Sequence, residues 1–160
     1  MDIPSSETSS NSYSKEGLDD FVVLLVEDEP ADVHLTRMAF RKSRLLVKLC
    51  DVGDGVEALA FLRQQAPYQD APRPDIILLD LNMPRMDGKT LLQHLKQDDD
   101  LKQIPAIVLT TSEAEQDIIE SYKHSANAYM TKPVGYKEFQ KVVREIETFW
   151  FELVKLPSEK

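Results

Sequence analysis

Four stretches of the chain end in side chains that could do chemistry together. The run "FVVLLVEDEP" ends in Glu27, Asp28 and Glu29, and "PDIILLD" ends in Asp80. The run "IPAIVLTTS" ends in Thr110, Thr111 and Ser112, and "NAYMTKP" ends in Thr131, Lys132 and Pro133. Carboxylates gathered within a few ångströms repel one another unless a cation or a proton intervenes. Hard oxygen ligands in a pocket that keeps water suit Mg²⁺. Asp28 and Asp80 are expected as direct ligands, Glu27 directly or through water, with a main-chain carbonyl just past Asp80 completing the set. Lys132 precedes Pro133, and a cis peptide at this strand-to-helix turn would aim the ammonium back at the acids. An ammonium there can also hold a phosphoryl oxygen. The Thr110 hydroxyl can take a second oxygen and the metal a third, which is how a transferred phosphoryl group is stabilised. Asp80 would then be a nucleophile toward phosphorus, forming an aspartyl phosphate.

Such a cluster needs elements that bring the four run-ends to one place. Five strand-like runs are legible: "FVVLLVE", "LLVKLCDV", "DIILLD", "IPAIVLTT" and "NAYMTK". Several are apolar without a break, as expected of central parallel strands covered on both faces. Helical patterns lie between them. "PADVHLTRMAFRKS" starts at Pro30, which a first helical turn tolerates, and offers Val33, Leu35, Met38, Ala39 and Phe40. "GVEALAFLRQQ" puts Val56, Leu59 and Leu62 near helical spacing, and "GKTLLQHLKQ" does the same with Leu91, Leu92 and Leu95. "SEAEQDIIESYKHS" begins with Ser112 and Glu115 at capping-box spacing. The last helical stripe runs through Phe139, Val142, Val143, Ile146, Phe149, Trp150 and Leu153. Five βα units imply a parallel sheet with right-handed crossovers. In such sheets, sites form beyond the carboxyl ends of the strands.

The 160 residues suffice for one domain with a single substantial core. Ser-rich, polar residues 1–19 read as a disordered N-terminal tail, residues 20–150 as the domain, and residues 151–160 as a C-terminal tail. A net charge of -9 argues against a general nucleic-acid or anionic-membrane binder, since both need excess Lys and Arg. Cys50 is the sole cysteine, which excludes an internal disulfide and reads as a core thiol in a reducing compartment. No apolar run approaches the roughly 18–20 residues that cross a bilayer, so a cytoplasmic protein without a membrane partner is expected.

The ordered set "LLVEDEP", "DIILLDLNMPRMDG", "IVLTTS" and "AYMTKP" resembles the receiver domains of two-component response regulators, from Phe21 to about Trp150. The resemblance implies a flavodoxin-like (βα)5 fold, a doubly wound five-stranded sheet of order 2-1-3-4-5, with an extended C-terminal helix. It implies Glu27 and Asp28 as the acidic metal pair, Asp80 as phosphoacceptor, and Asn82 as the residue whose backbone carbonyl ligates Mg²⁺. Thr110 and Lys132 would contact the phosphoryl group, and Tyr129 matches the aromatic that turns inward on activation. The implied donor is a sensor histidine kinase. The chain would promote its own phosphorylation and dephosphorylation without being a turnover enzyme. Glu27 stands where Asp is frequent, lengthening the reach by one methylene. Thr111 stands where small residues are common, which narrows access and would slow hydrolysis. A narrower resemblance, from Ser121 to Pro157, is to the small regulators that partner with cyanobacterial phytochromes. That implies a homodimer through the fourth helical segment, the fifth strand and the final helix, with Tyr122, Tyr129, Phe149, Trp150 and Phe151 on that face.

Phe149, Trp150 and Phe151 are consecutive, so they cannot all face one core from one helix. Either two pack inward and one is incidentally exposed, or they anchor self-association, which the resemblance favours. His34, His94 and His124 fall in helical patterns away from the acids. "QDDDLKQ" reads as a solvated acidic connector, and "DVGDG" as a turn that contributes no obvious chemistry. The rival from another class is a small-molecule phosphatase with Asp80 as turnover nucleophile. Such an enzyme usually has a second acid two residues later, where this chain has Asn82. A flavin carrier would want a hydroxyl- and Gly-rich loop where "EDEPAD" stands, and a nucleotide switch a Gly-rich Lys loop that does not occur.

Overall fold

The computed structural model describes residues 21–81, 85–110 and 128–158. Its strands are β1 (Phe21–Val26), β2 (Val47–Val52), β3 (Ile76–Asp80), β4 (Ala106–Thr110) and β5 (Ala128–Thr131). Its helices are α1 (Pro30–Arg41), α2 (Gly55–Leu62), α3 (Gly88–Gln97) and α4 (Tyr136–Ser158). All strand pairs are parallel, in the order β2-β1-β3-β4-β5. This order is one of the doubly wound arrangements that right-handed βα crossovers allow. The helical segment expected between Ser112 and Ser125 lies outside the described residues, as do the N-terminal tail, Thr111 and Tyr122.

The unbroken apolar runs are explained by two cores, one on each face. Along β1, Leu24 and Val26 enter one cluster, while Phe21, Val23 and Leu25 enter the other. Along β3, Ile77 and Leu79 divide from Ile76 and Leu78 in the same way. The period of two forces this division, so a strand covered on both faces has no position for a polar residue until it ends. The first cluster packs Phe61 of α2 and Leu91, Leu92 and Leu95 of α3. The second packs Phe40 of α1 with Phe139, Val143 and Ile146 of α4. Buried Glu147 of α4 accepts hydrogen bonds from the Ser43 hydroxyl at 2.6 Å and the Arg44 amide at 2.9 Å, tying the end of α1 to α4.

Several local expectations are corrected. Val56 is 41% exposed, while Leu59 is buried as expected and Ala58 and Phe61 join it on the buried face of α2. β2 starts at Val47, two residues later than the apolar run, and Leu46 is exposed. The acidic connector holds a short 3₁₀ turn, Leu101–Gln103, whose Leu101 is core. Asp98 initiates that turn by accepting from the amides of Asp100 and Leu101, both at 3.0 Å. Phe149 is half-buried against its own core, as the reading with two aromatics packed inward allows.

Gly88 makes the closest approach in the β3–α3 connection. A Cβ there would lie 2.8 Å from the Leu81 Cα and 2.9 Å from the Asp80 carbonyl oxygen, both backbone atoms. Its amide donates to the Leu81 carbonyl at 3.0 Å, closing the loop behind Asp80. Gly88→Ala is therefore expected to cost about 1–3 kcal/mol, read as a lower urea midpoint at unchanged slope. A midpoint equal to wild type would show that the loop yields freely.

Candidate functional site

Parallel register levels the strand ends. Val26 pairs with Leu79, Asp80 with Leu109, and Thr110 with Thr131, so each chain leaves the sheet at one edge. The Glu27 amide donates to the Val52 carbonyl at 2.9 Å, continuing the β1–β2 ladder through the first acid. By strand period, Glu27 continues the Val23–Leu25 side and Asp80 the Ile76–Leu78 side, which is the face covered by α1 and α4. Both are buried, at 4% exposure each, whereas Asp28 is exposed. Ligand oxygens of Glu27, Asp28 and Asp80 all lie within 4.8 Å of one another.

Lys132 reaches this group from the loop after β5. Its Nζ lies 3.1 Å from Glu27 Oε1, 3.1 Å from Asp80 Oδ2 and 3.1 Å from Asp32 Oδ2. Among the described residues the cis peptide is Ala66–Pro67, not the bond before Pro133. Glu27 also accepts from the Glu29 amide at 3.1 Å, which folds the acidic turn around it. Glu29 itself caps α1, and Pro30 occupies the helix start.

The chain past Asp80 is held from a second direction. Arg85 donates to Asp54 at 2.7 Å, and the Gly55 amide donates to the Met86 carbonyl at 3.0 Å. Arg85 adopts φ 60, a left-handed conformation uncommon for a residue with a side chain. Asp54 is buried and also caps α2 by accepting from the Glu57 amide at 2.9 Å. Burial alone would raise its pKa, but the amide and guanidinium bonds outweigh that and lower it. The "DVGDG" turn thus supplies a structural anchor for Arg85 and Met86.

Of the expected site residues, Glu27, Asp28, Asp80 and Lys132 converge. Thr110 and Tyr129 stand at the expected backbone positions in β4 and β5, while their side chains and all of Asn82 lie outside the described residues. His34 is exposed on α1, His94 is half-buried on α3, and neither belongs to the acidic group; His124 lies outside the described residues. Sequence reasoning missed Asp32, whose signal was an acid in the first turn of the helix that follows the acidic pair. It also missed the Asp54–Arg85 pair, for which an Asp before a helix-opening Gly was a legible cap.

Burial and the neighbouring Asp80 charge push the Glu27 carboxyl up to about 7, against the pull of the Glu29 amide and Lys132. Burial would lower the Lys132 pKa, but the charges of Asp80 and Glu27 overcome it and hold the ammonium above its usual range. The cluster thus holds excess negative charge that one ammonium does not balance, which is the donor set a small divalent cation fits. Asp28, the exposed member, faces a cleft of about 470 Å³ through which an ion could enter with its water. Between 4.5 and about 7 the folded protein keeps a Glu27 proton that the unfolded chain has lost. The contribution of Glu27 to the stability of the metal-free protein then falls as pH rises through that window. Glu27→Gln should flatten this slope in urea titrations run with chelator; a slope identical to wild type would count against the assignment.

The profile of the family described as the response regulator receiver domain matches residues 23–144. Response regulator Rcp1 of Synechocystis sp. is 47% identical over 137 residues, covering 86% of this chain and 93% of that protein. Among solved structures, the phosphorylated cyanobacterial phytochrome response regulator RcpA superposes with a TM-score of 0.75 at 43% identity, covering 82% of this chain and 94% of that one. The Mn²⁺-bound form of Rcp1 gives 0.72 at 47% identity, with the same coverage of 82% and 94%. These matches do not favour the phosphatase alternative. With a parallel sheet of order 2-1-3-4-5 and an acidic cluster at its carboxyl edge, the chain belongs to the response regulator receiver domains of two-component phosphorelay signalling.

Proposed function

We propose that Asp80 accepts a phosphoryl group from the phosphohistidine of a sensor kinase, and that the kinase is of the phytochrome type. The observation that carries the first part is the Asp80 carboxylate at the end of a fully buried strand, 3.1 Å from the Lys132 ammonium and within reach of Glu27 and Asp28. An Asp80 oxygen attacks phosphorus as the phosphorus–nitrogen bond breaks, and the bonding pair returns to the imidazole nitrogen. Lys132 holds one phosphoryl oxygen as charge develops, and the Thr110 hydroxyl a second. Glu27, Asp28, Asp80 and the Asn82 carbonyl would hold Mg²⁺, which supplies charge neutralisation to the remaining oxygen. Phosphorylation then shifts Thr110 and Tyr129, and with them the surface of β4 and β5.

The phytochrome-type partner rests on the likeness to Rcp1 and RcpA, both matched over most of their length. The reading includes a cytoplasmic location, a tail at residues 1–19 and a receiver at 20–150. It also includes a homodimer through the Ser112–Ser125 segment, β5 and α4. In support of the dimer, α4 runs on to Ser158, and Ile146 and Phe149 pack on the core among its described side chains. Because Phe149 is used by the fold itself, Trp150 and Phe151 are the anchors to test.

Labelling from a small phosphodonor should require Mg²⁺ and disappear in Asp80→Asn; equal labelling of the variant would defeat the acceptor assignment. Sedimentation of a Trp150→Ala/Phe151→Ala variant should show a monomer where wild type shows a dimer. A dimer that survives both substitutions removes the aromatic tail from the interface.

A further inference from the structure

We propose that Asp32 is a positioning residue for Lys132, the counter-ion that keeps the ammonium in the pocket once a divalent cation occupies the acidic cluster. The proposal rests on the acceptor reading above for its effect on phosphorylation, but its geometry does not. An ammonium has three N–H donors. Here three carboxylate oxygens, from Glu27, Asp80 and Asp32, each stand 3.1 Å away. Glu27 and Asp80 also belong to the group whose oxygens could hold a metal ion, and Asp32 does not. A cation bound there would draw on the charge of both shared acids and repel the ammonium beside it. Asp32 is the partner that Lys132 would keep.

The position of Asp32 is fixed by the fold. It sits in the first turn of α1, where the helix dipole favours an acid, behind the Glu29 cap and Pro30. Its carbonyl accepts from the hydroxyl of buried Thr36 at 2.7 Å. At 23% side-chain exposure, against 16% for Lys132, the pair is only partly screened by solvent. α1 thereby couples to the loop after β5 through one ion pair between residues a hundred positions apart in the chain.

A purely helix-capping role for Asp32 would not involve Lys132, and the test separates the two. Initial rates of phosphoryl uptake from acetyl phosphate at saturating Mg²⁺ are compared for wild type, Asp32→Asn, Asp32→Glu, Lys132→Ala and the Asp32→Asn/Lys132→Ala double variant. Asp32→Asn is expected to be roughly tenfold slower, the scale of one lost charge-assisted contact. Asp32→Glu should recover most of the rate, and Asp32→Asn should add nothing once Lys132 is gone. A wild-type rate in Asp32→Asn, or an undiminished effect of that substitution without Lys132, would overturn the proposal. Failure of wild type to be labelled at all would instead strike the acceptor reading. Modification of the Lys132 amine by an acylating reagent decides in that case. With Mg²⁺ present it should be several-fold faster in Asp32→Asn than in wild type, and equal rates would overturn the role of Asp32.

Discussion

Repulsion among buried carboxylates is the constraint from which the rest of this structure follows. Glu27 and Asp80 are almost wholly removed from water at the end of two core strands, within a few ångströms of each other. Unpaired, each would be costly to bury. The Lys132 ammonium lies against both, and it relieves the strain without cancelling it, since the Glu27 carboxyl remains raised to about 7. A site left short of positive charge in this way is ready for a further cation and for the charge rearrangement that phosphorylation brings. That readiness is what a signalling acceptor needs, and it costs stability in the metal-free protein.

The sheet makes this arrangement rigid. β3 is buried along its whole length and pairs on both sides, so the Asp80 backbone has little freedom. Rigidity on one side is matched by anchoring on the other. The loop beyond Asp80 is tied to the β2–α2 turn by Arg85 and Met86, and α3 begins at a glycine that a Cβ would push off the strand. The Asp80 carboxylate is thus placed by the fold before any ligand arrives. The exposed Asp28 and the cleft it shares with Glu27 open the acidic cluster on one side.

Membership of the receiver family sets the chemistry, while the particular residues set how this chain performs it. Asp32 places a second helix-borne charge on the Lys132 ammonium, so α1, β1, β3 and the β5 loop meet at one nitrogen. α1 also packs on α4 through the second core. α4 is the long helix whose distal turns carry Trp150 and Phe151. The acidic cluster, α1 and α4 are thus joined by ion pairs and packed side chains.

The unbroken apolar runs, the acids and lysine at their ends, and the alternation with helical stripes were all legible locally, because strand and helix periods are written into neighbouring residues. They determined the fold class, the edge where the site lies, and Glu27, Asp28, Asp80 and Lys132 as its members. Tertiary structure alone decided that Asp32 shares the ammonium, that Asp54 grips Arg85, and that Val56 turns out. Glu27 and Lys132 are 105 residues apart, and Arg85 and Asp54 are 31. Contacts at such separations depend on how crossovers stack helices on the sheet, and no pattern within one segment records which of several nearby charges will come to rest on another.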